Sequence, residues 1–356
     1  MKNKLIFNKE ITLGGKVINQ TSQTFIIAEA GVNHGGDVEL AKKMVDVAKE
    51  AGADAVKFQA FRTEKLIKSD VEKAEYQKTT TGEKESQAQM LKGLELNVEA
   101  YIDLKEYCNQ RQILFLITPF DEFSLEELEK LDIDAYKIGS TDATNIPFLI
   151  KVAKTGKPIL FSTGMCYLSE VQLALSKMAL HNKNIILLQC VANYPISDNE
   201  ANLNVLSTYK AEFDILLGYS DHSTGVGAAP FAIPLGAKVL EKHFTLDKSL
   251  EGPDHSASLS PRELKEFVNL VRRVDLFLGK EEKAPTTSEK HTRKALQKCL
   301  VTLTSIKKGE LFTEDNIIAK RTGGNGISPI HSEKIIGTKA TKNYAPDDII
   351  VERIEK

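Results

Sequence analysis

Lys57 and Lys137 each interrupt an otherwise apolar run, AVKFQ (Ala55–Gln59) and AYKIGS (Ala135–Ser140). A lysine inside a protein is costly unless its charge is matched, by a bound anion carrying phosphate or carboxylate or by a buried glutamate. Ser140, Ser162 and Ser220 close or follow similar runs and add hydroxyl donors suited to the same anion. His222 and His243 follow the runs Ile215–Tyr219 and Val239–Lys242. If those strands are neighbours in a barrel, both imidazoles reach one rim and can share a divalent ion. Imidazole favours Mn²⁺, Fe²⁺, Co²⁺ or Zn²⁺ over Ca²⁺, and water or substrate oxygens would complete the shell. The plainer alternative is a pair of rim histidines held only by hydrogen bonds.

Other polar residues fall at the ends of apolar runs: Glu29 and His34, Gln59, Thr118, Thr163, Tyr194 and Glu241. In GPDHSAS, Asp254 suits a sugar hydroxyl and His255 is a weaker metal candidate. Cys166 and Cys190 read as small packing residues, because neither has an activating base nearby in sequence. His181, His291 and His331 lie in polar surroundings and read as surface residues.

The elements that must position these side chains are eight short runs: Phe25–Ala28, Ala55–Gln59, Ile113–Thr118, Ala135–Ser140, Pro158–Thr163, Asn184–Cys190, Ile215–Tyr219 and Lys238–Phe244. Nearly all are continuously apolar, as strands buried on both faces must be, and helix-length segments separate them. This predicts a (β/α)8 TIM barrel, whose catalytic groups gather at the C-terminal strand ends. A doubly wound open sheet is the alternative, since periodicity does not reveal closure. A helix is predicted over Val38–Ala51, with Asp37 as N-cap and Gly52 as C-cap. The connection Thr63–Asn97 is unusually long, and its polar, helix-poor piece EYQKTTTGEKESQAQM reads either as a functional rim loop or as a surface insertion. An N-terminal β-hairpin turning at Gly14-Gly15 completes a first domain over residues 1–278. A charged, Pro-containing linker is expected over 279–291, and a small module of short strands over 292–356.

The 356 residues are 42% hydrophobic and 27% charged, with a net charge of −2, which describes an ordinary globular protein and gives no electrostatic reason for nucleic-acid binding. Four scattered cysteines, with no CxxC pair, fit free thiols in a reducing compartment. No run approaches the roughly 18 apolar residues of a membrane span, and the N-terminus lacks a signal-peptide core. A cytoplasmic enzyme is expected, with no nucleic-acid or membrane partner.

The segments IIAEAGVNHGGD (Ile26–Asp37), VKFQAF, ITPFD, YKIGS, STGM, YSDHS, EKHFTLDKSLEGPDHSASL and KRTGGNGIS (Lys320–Ser328) occur in one order. On these motifs the chain resembles the N-acetylneuraminate (sialic acid) synthase family, which includes legionaminic and pseudaminic acid synthases and a spore-coat polysaccharide relative. The resemblance implies a barrel followed by a small antifreeze-like (SAF) domain. It also implies condensation of phosphoenolpyruvate with an open-chain N-acyl hexosamine, giving a nine-carbon 2-keto-3-deoxy acid and phosphate. Lys57, Lys137, Thr118, Ser140, Ser162 and Ser220 would hold the phosphate and carboxylate of phosphoenolpyruvate. Glu29, Gln59, Tyr194 and Asp254 would contact the amino sugar, with Glu29, His222 and His243 as the catalytic set. The two histidines would bind the metal, Mn²⁺ foremost, with Mg²⁺ or Co²⁺ as alternatives. In a domain-swapped homodimer the SAF domain would cover the partner's site, with Arg321 reaching the N-acyl group.

Three departures from the family pattern stand out. Thr141-Asp142 replaces Gly-Glu, so the carboxylate expected near the sugar is one methylene shorter. Gln189–Ala192 replaces a His-Cys-Thr pattern followed by Asn or Thr, so a polar contact to phosphoenolpyruvate is either missing or supplied by Asn193. KRTGGNGIS carries one extra residue ahead of its glycine turn. The acceptor is read as N-acetylmannosamine, with 2,4-diacetamido-2,4,6-trideoxymannose and the spore-coat substrate as alternatives. A barrel synthase for a sugar phosphate would need a further cationic cluster, and a non-catalytic carbohydrate-binding protein would not need two lysines and two histidines on one rim.

Overall fold

The computed structural model describes residues 4–82 and 84–353. Eight parallel strands form a closed barrel: β1 (Phe25–Gly31), β2 (Ala55–Ala60), β3 (Leu114–Pro119), β4 (Tyr136–Ile138), β5 (Ile159–Ser162), β6 (Ile185–Cys190), β7 (Leu216–Asp221) and β8 (Ala237–His243). Closure comes from β8, which pairs with β7 on one side and with β1 on the other, Glu241 lying opposite Ile27 and His243 opposite Glu29. That closed ring rules out the open doubly wound sheet.

Side chains alternate along a strand, so each strand sends one set inward and the other toward the helices. Ile27, Ala55, Leu116, Ala135, Leu160, Ile186, Leu188, Leu216 and Val239 share one apolar cluster with Ile11, Leu13 and Ile18 of the N-terminal hairpin. The hairpin pairs Ile11–Leu13 with Lys16–Ile18 about Gly14 and Gly15, both at positive φ as a tight hairpin turn requires. Its apolar face packs on the inward residues near the strand starts and closes that end of the barrel. Ahead of it, Leu5–Ile6 pairs in parallel with Phe213–Asp214 and takes no part in the hairpin.

The outward set, including Ile26, Val56, Phe58, Phe115, Ile117, Tyr136, Phe161, Leu187 and Leu240, packs with the helices in the larger core. Helix Val38–Ala51 begins where Asp37 accepts from Glu39 N and Leu40 N and ends at left-handed Gly52, as its sequence predicts. The long connection after β2 departs from expectation. It contains three short helices, Thr63–Leu66, Glu75–Thr81 and Gln87–Lys92. The last two carry capping interactions at their starts: Gln77 Oε1 accepts from Ala74 N, and Ser86 and Gln89 cap each other.

The chain divides into two compact units, Met1–Gly279 and Lys280–Lys356. In the second, β9 (Lys298–Thr302) and β10 (Ile317–Arg321) are antiparallel, over a core of Leu300, Ile306, Phe312, Ile317, Ile335, Ala340, Tyr344 and Ile350. Part of the stretch expected to be linker is helical. Thr287–Leu296 is nucleated by a capping box in which Thr286 and Glu289 satisfy each other's backbone N–H groups.

Candidate active site

The inward positions that are apolar near the strand starts become polar toward the strand ends. Ile27 is followed by Glu29, Ala55 by Lys57 and Gln59, Leu116 by Thr118, and Ala135 by Lys137. Leu160 gives way to Ser162, Leu188 to Cys190, Leu216 to Ser220, and Val239 to Glu241 and His243. One period-two rule thus delivers a ring of functional groups to the C-terminal mouth, where they line a cavity of about 340 Å³.

Three carboxylates and two ammonium groups set its electrostatics. Lys57 Nζ lies 2.8 Å from Glu29 Oε2, 3.7 Å from Glu241 Oε2 and 3.1 Å from Thr118 Oγ1. Lys137 Nζ lies 3.7 Å from Glu241 Oε1, which also accepts from Ser220 Oγ at 2.8 Å. The two lysines are therefore matched by buried glutamates, and a bound anion is not needed to explain them. Burial opposes charge at all four groups, but the balance differs. At Lys57, Glu241 and Glu29 outweigh burial and raise the pKa. At Lys137 burial wins and lowers it. Glu241 is held low by Lys137 and Lys57 against burial, whereas burial outweighs Lys57 at Glu29 and raises it. Asp254 is pushed up to about 6 by burial.

His222 and His243 lie edge to face, with ring centroids 5.4 Å apart. His222 Nδ1 approaches Val191 O at 2.6 Å, so as donor there it leaves Nε2 free for a ligand. His243 Nδ1 is buried with no hydrogen bond among the described residues, and Asp254 Oδ2 stands 3.9 Å away. Burial, followed by the nearby His222, keeps the pKa of His243 well below the ordinary imidazole range. At His222 burial is outweighed by Cys190 and the Val191 carbonyl, which raise the pKa, so a metal would have to displace a proton from His222. These two imidazoles fit a divalent ion whose remaining ligands come from substrate or water; among the described residues no group of three or more His, Cys, Asp or Glu is arranged to hold one. Tyr194 closes this side, 4.1 Å from the His222 ring and 5.2 Å from Tyr76. Ser162 Oγ is another buried polar atom with no hydrogen bond among the described residues.

Glu29, Lys57, Gln59, Thr118, Lys137, Ser140, Ser162, Tyr194, Ser220, His222, His243 and Asp254, all singled out in the sequence, line this cavity together. Three others do not. Asn193 is exposed on the turn that sends Tyr194 inward, and Ala192 lines the wall instead. Asp142 is buried in an adjoining chamber, bonded to Asn145. Arg321 ends β10 in the second unit, where it is exposed.

Sequence reasoning placed Glu241 at the rim without a role, yet it joins both lysines; its parity with His243 is the signal. Tyr76, Gln77 and Gln87 of the long connection also line the cavity, so that segment is no idle insertion. Cys190, read as a small packing residue, is buried and free; His222 Nδ1, shared with Val191 O, lies 3.8 Å from its Sγ, and Ser140 Oγ lies at 3.6 Å. Burial would raise this thiol, but His222 and Lys137 lower it.

Comparison with known proteins fits a barrel of this kind. The chain is 44% identical to N,N'-diacetyllegionaminic acid synthase of Campylobacter jejuni, over 93% of its own length and 99% of that protein. It is 36% identical to human N-acetylneuraminate-9-phosphate synthase, over 96% and 95% of the two chains. The crystal structure of N-acetylneuraminic acid synthetase from Leptospira borgpetersenii superposes with a TM-score of 0.71 at 35% identity, covering 82% of this chain and 98% of that one. By their names these are sugar-acid synthases, and this chain's closed eight-strand parallel barrel is a TIM barrel. The chain belongs to the NeuB family, whose model matches residues 44–283, and it carries a SAF domain at residues 297–352. No helix among the described residues is long and apolar enough to cross a membrane.

Proposed function

We propose that this protein condenses phosphoenolpyruvate with an open-chain N-acyl mannosamine-type aldehyde, giving a nine-carbon 2-keto-3-deoxy acid and phosphate in the cytoplasm. The observation that carries the reading is the joining of Lys57, Lys137, three serines and two edge-to-face imidazoles in one buried cavity. Lys57, Lys137, Thr118, Ser140, Ser162 and Ser220 would bind the phosphate and carboxylate, displacing part of the present lysine–glutamate pairing. Ser162 Oγ, without a hydrogen bond among the described residues, supplies a ready donor. Ser140 Oγ accepts from Gly164 N and donates to Cys190 Sγ at 3.6 Å, a proton that would turn to the anion instead.

C3 of phosphoenolpyruvate attacks C1 of the aldehyde, and the carbonyl π pair becomes an alkoxide. Glu29 is the carboxyl placed beside it to relay a proton once Lys57 turns to the incoming anion; burial raises its pKa against Lys57, and Gln59 Nε2 donates to Glu29 Oε1 at 3.0 Å to hold it. Water then adds at C2, one proton leaving to the anionic Glu241; as the C2–O bond to phosphate breaks, the new hydroxyl's proton passes to the departing phosphate and its O–H pair forms the keto C=O. A divalent ion, Mn²⁺ foremost, held by His222 and His243, would supply electrophilic stabilisation of the oxygen at C1. Tyr194 and Asp254 would orient sugar hydroxyls.

N-acetylmannosamine and 2,4-diacetamido-2,4,6-trideoxymannose stand level as acceptors, the name of the 44% identical relative favouring the second. The chain is proposed to work as a domain-swapped homodimer in which Arg321 reaches the N-acyl group in its partner's site. Incubation with phosphoenolpyruvate, Mn²⁺ and each acceptor should yield the nine-carbon acid by mass spectrometry. Chelation should abolish it and Mn²⁺ restore it; full activity after metal stripping would refute the metal role.

A further inference from the structure

A second chamber, of about 840 Å³, opens beside the catalytic cavity. Gln59, Tyr76, Phe120 and Thr141 line both spaces, so the two are continuous along one wall. The phosphate- and carboxylate-binding groups occupy the inner cavity. An acceptor whose aldehyde carbon meets phosphoenolpyruvate there must direct its other end outward. We infer that this chamber receives that far end and selects an uncharged one over a phosphorylated one; the inference rests on the synthase reading above.

The lining argues for it in two ways. Phe61 and Phe148 are buried in the wall, Leu66 and Ile67 half-buried, and Phe120 and Leu91 complete an apolar surface that offers no donor to a phosphate oxygen. The charged groups have the wrong sign for phosphate. Asp121, Glu122, Glu126 and Asp142 line the chamber against Lys65 as its one cation. Asp121 is spent locally, accepting from Arg62 N, Ser124 N and Ser124 Oγ at 2.7–2.8 Å. Glu122 pairs with Lys151. Asp142 and Glu126 remain facing the space, and Asp142 accepts from Asn145 Nδ2 at 3.1 Å while keeping further lone-pair capacity. Carboxylates accept from hydroxyl and amide donors, which a neutral sugar end offers; phosphate oxygens would be both unsatisfied and repelled. The cationic cluster that a second phosphate would demand is missing from the chamber's lining residues.

The test is kcat/KM for N-acetylmannosamine, for its 6-phosphate and for 2,4-diacetamido-2,4,6-trideoxymannose, each with saturating phosphoenolpyruvate. At least one neutral acceptor should exceed the 6-phosphate by 100-fold or more. Glu126→Lys, at an exposed position on the chamber's edge, and Leu66→Lys should each narrow that ratio at least fivefold without moving the KM for phosphoenolpyruvate. Equal or better use of the 6-phosphate, or a ratio unmoved by both variants, would overturn the chamber's role and leave the synthase reading intact. Absence of product with all three acceptors, from protein folded by circular dichroism, would overturn the synthase reading and the chamber's role with it.

Discussion

The imidazole of His34 shows how closely this mouth is packed. Its Nδ1 accepts from Gly36 N at 3.0 Å, while Nε2 is buried without a hydrogen bond among the described residues. Burial lowers its pKa to about 4, Asp37 opposing and nearby His255 adding to the shift. The folded protein thus keeps a neutral ring where the unfolded chain takes up a proton near pH 6.5. As pH falls from about 6.5 to about 4 the unfolded state binds the extra proton, so stability is lost across that window, by at most about 3 kcal/mol. Urea midpoints at pH 7 and pH 4.5 should therefore fall further for the parent protein than for His34→Gln; equal losses would show that this ring does not carry the effect. At this scale the sequence told which strands hold lysines, but not what matches them. A glutamate 104 positions from Lys137 has no local signature, and only the register of β8 brings Glu241 into the ring.

Behind the two imidazoles lies an element-level device. Asp221 and Lys242, the residues just before His222 and His243, are register partners on β7 and β8 and point outward. Lys242 Nζ donates to Asp221 Oδ2 at 3.0 Å and to Ser223 O at 2.7 Å, while Asp221 also accepts from Ser223 N and Ala229 N. Gly227 passes so close that a Cβ there would lie 2.7 Å from Asp221 and 2.9 Å from Lys242, at a φ of +64°. Removing one member of a buried ion pair strands the other, so Lys242→Met should destabilise the barrel by about 3–5 kcal/mol. Denaturant unfolding would measure it, and a change below about 1 kcal/mol would mean that the pair is dispensable. Continuous apolar runs made the eight strands readable from sequence. The short helices after β2 were obscured by EYQKTTTGEKES, whose threonines and glycine have weak helix propensity and whose local caps outweigh it. The strut was missed because Lys242 and Asp221 read as neighbours of more conspicuous histidines.

Across the whole molecule, motif order made both units legible, whereas their assembly is a matter of surfaces that a single chain's pattern does not encode. Arg321 tests the proposed exchange between protomers. Alone, Arg321→Ala should raise the acceptor KM tenfold or more with little change in the KM for phosphoenolpyruvate. Mixed with inactive Lys137→Met it should regain part of the parental acceptor KM, because a hybrid dimer holds one site with both residues intact. No recovery after subunit exchange would place Arg321 in its own protomer's site or outside any site. The central claim, that the cavity binds phosphoenolpyruvate so that carbon–oxygen cleavage follows carbon–carbon bond formation, is tested most directly by phosphoenolpyruvate carrying ¹⁸O in the bridging position. With water adding at C2, mass spectrometry should find the label in released phosphate and a nine-carbon acid free of bridging oxygen. Label retained in the keto acid, with unlabelled phosphate, would mean phosphorus–oxygen cleavage and would contradict the assignment of these residues.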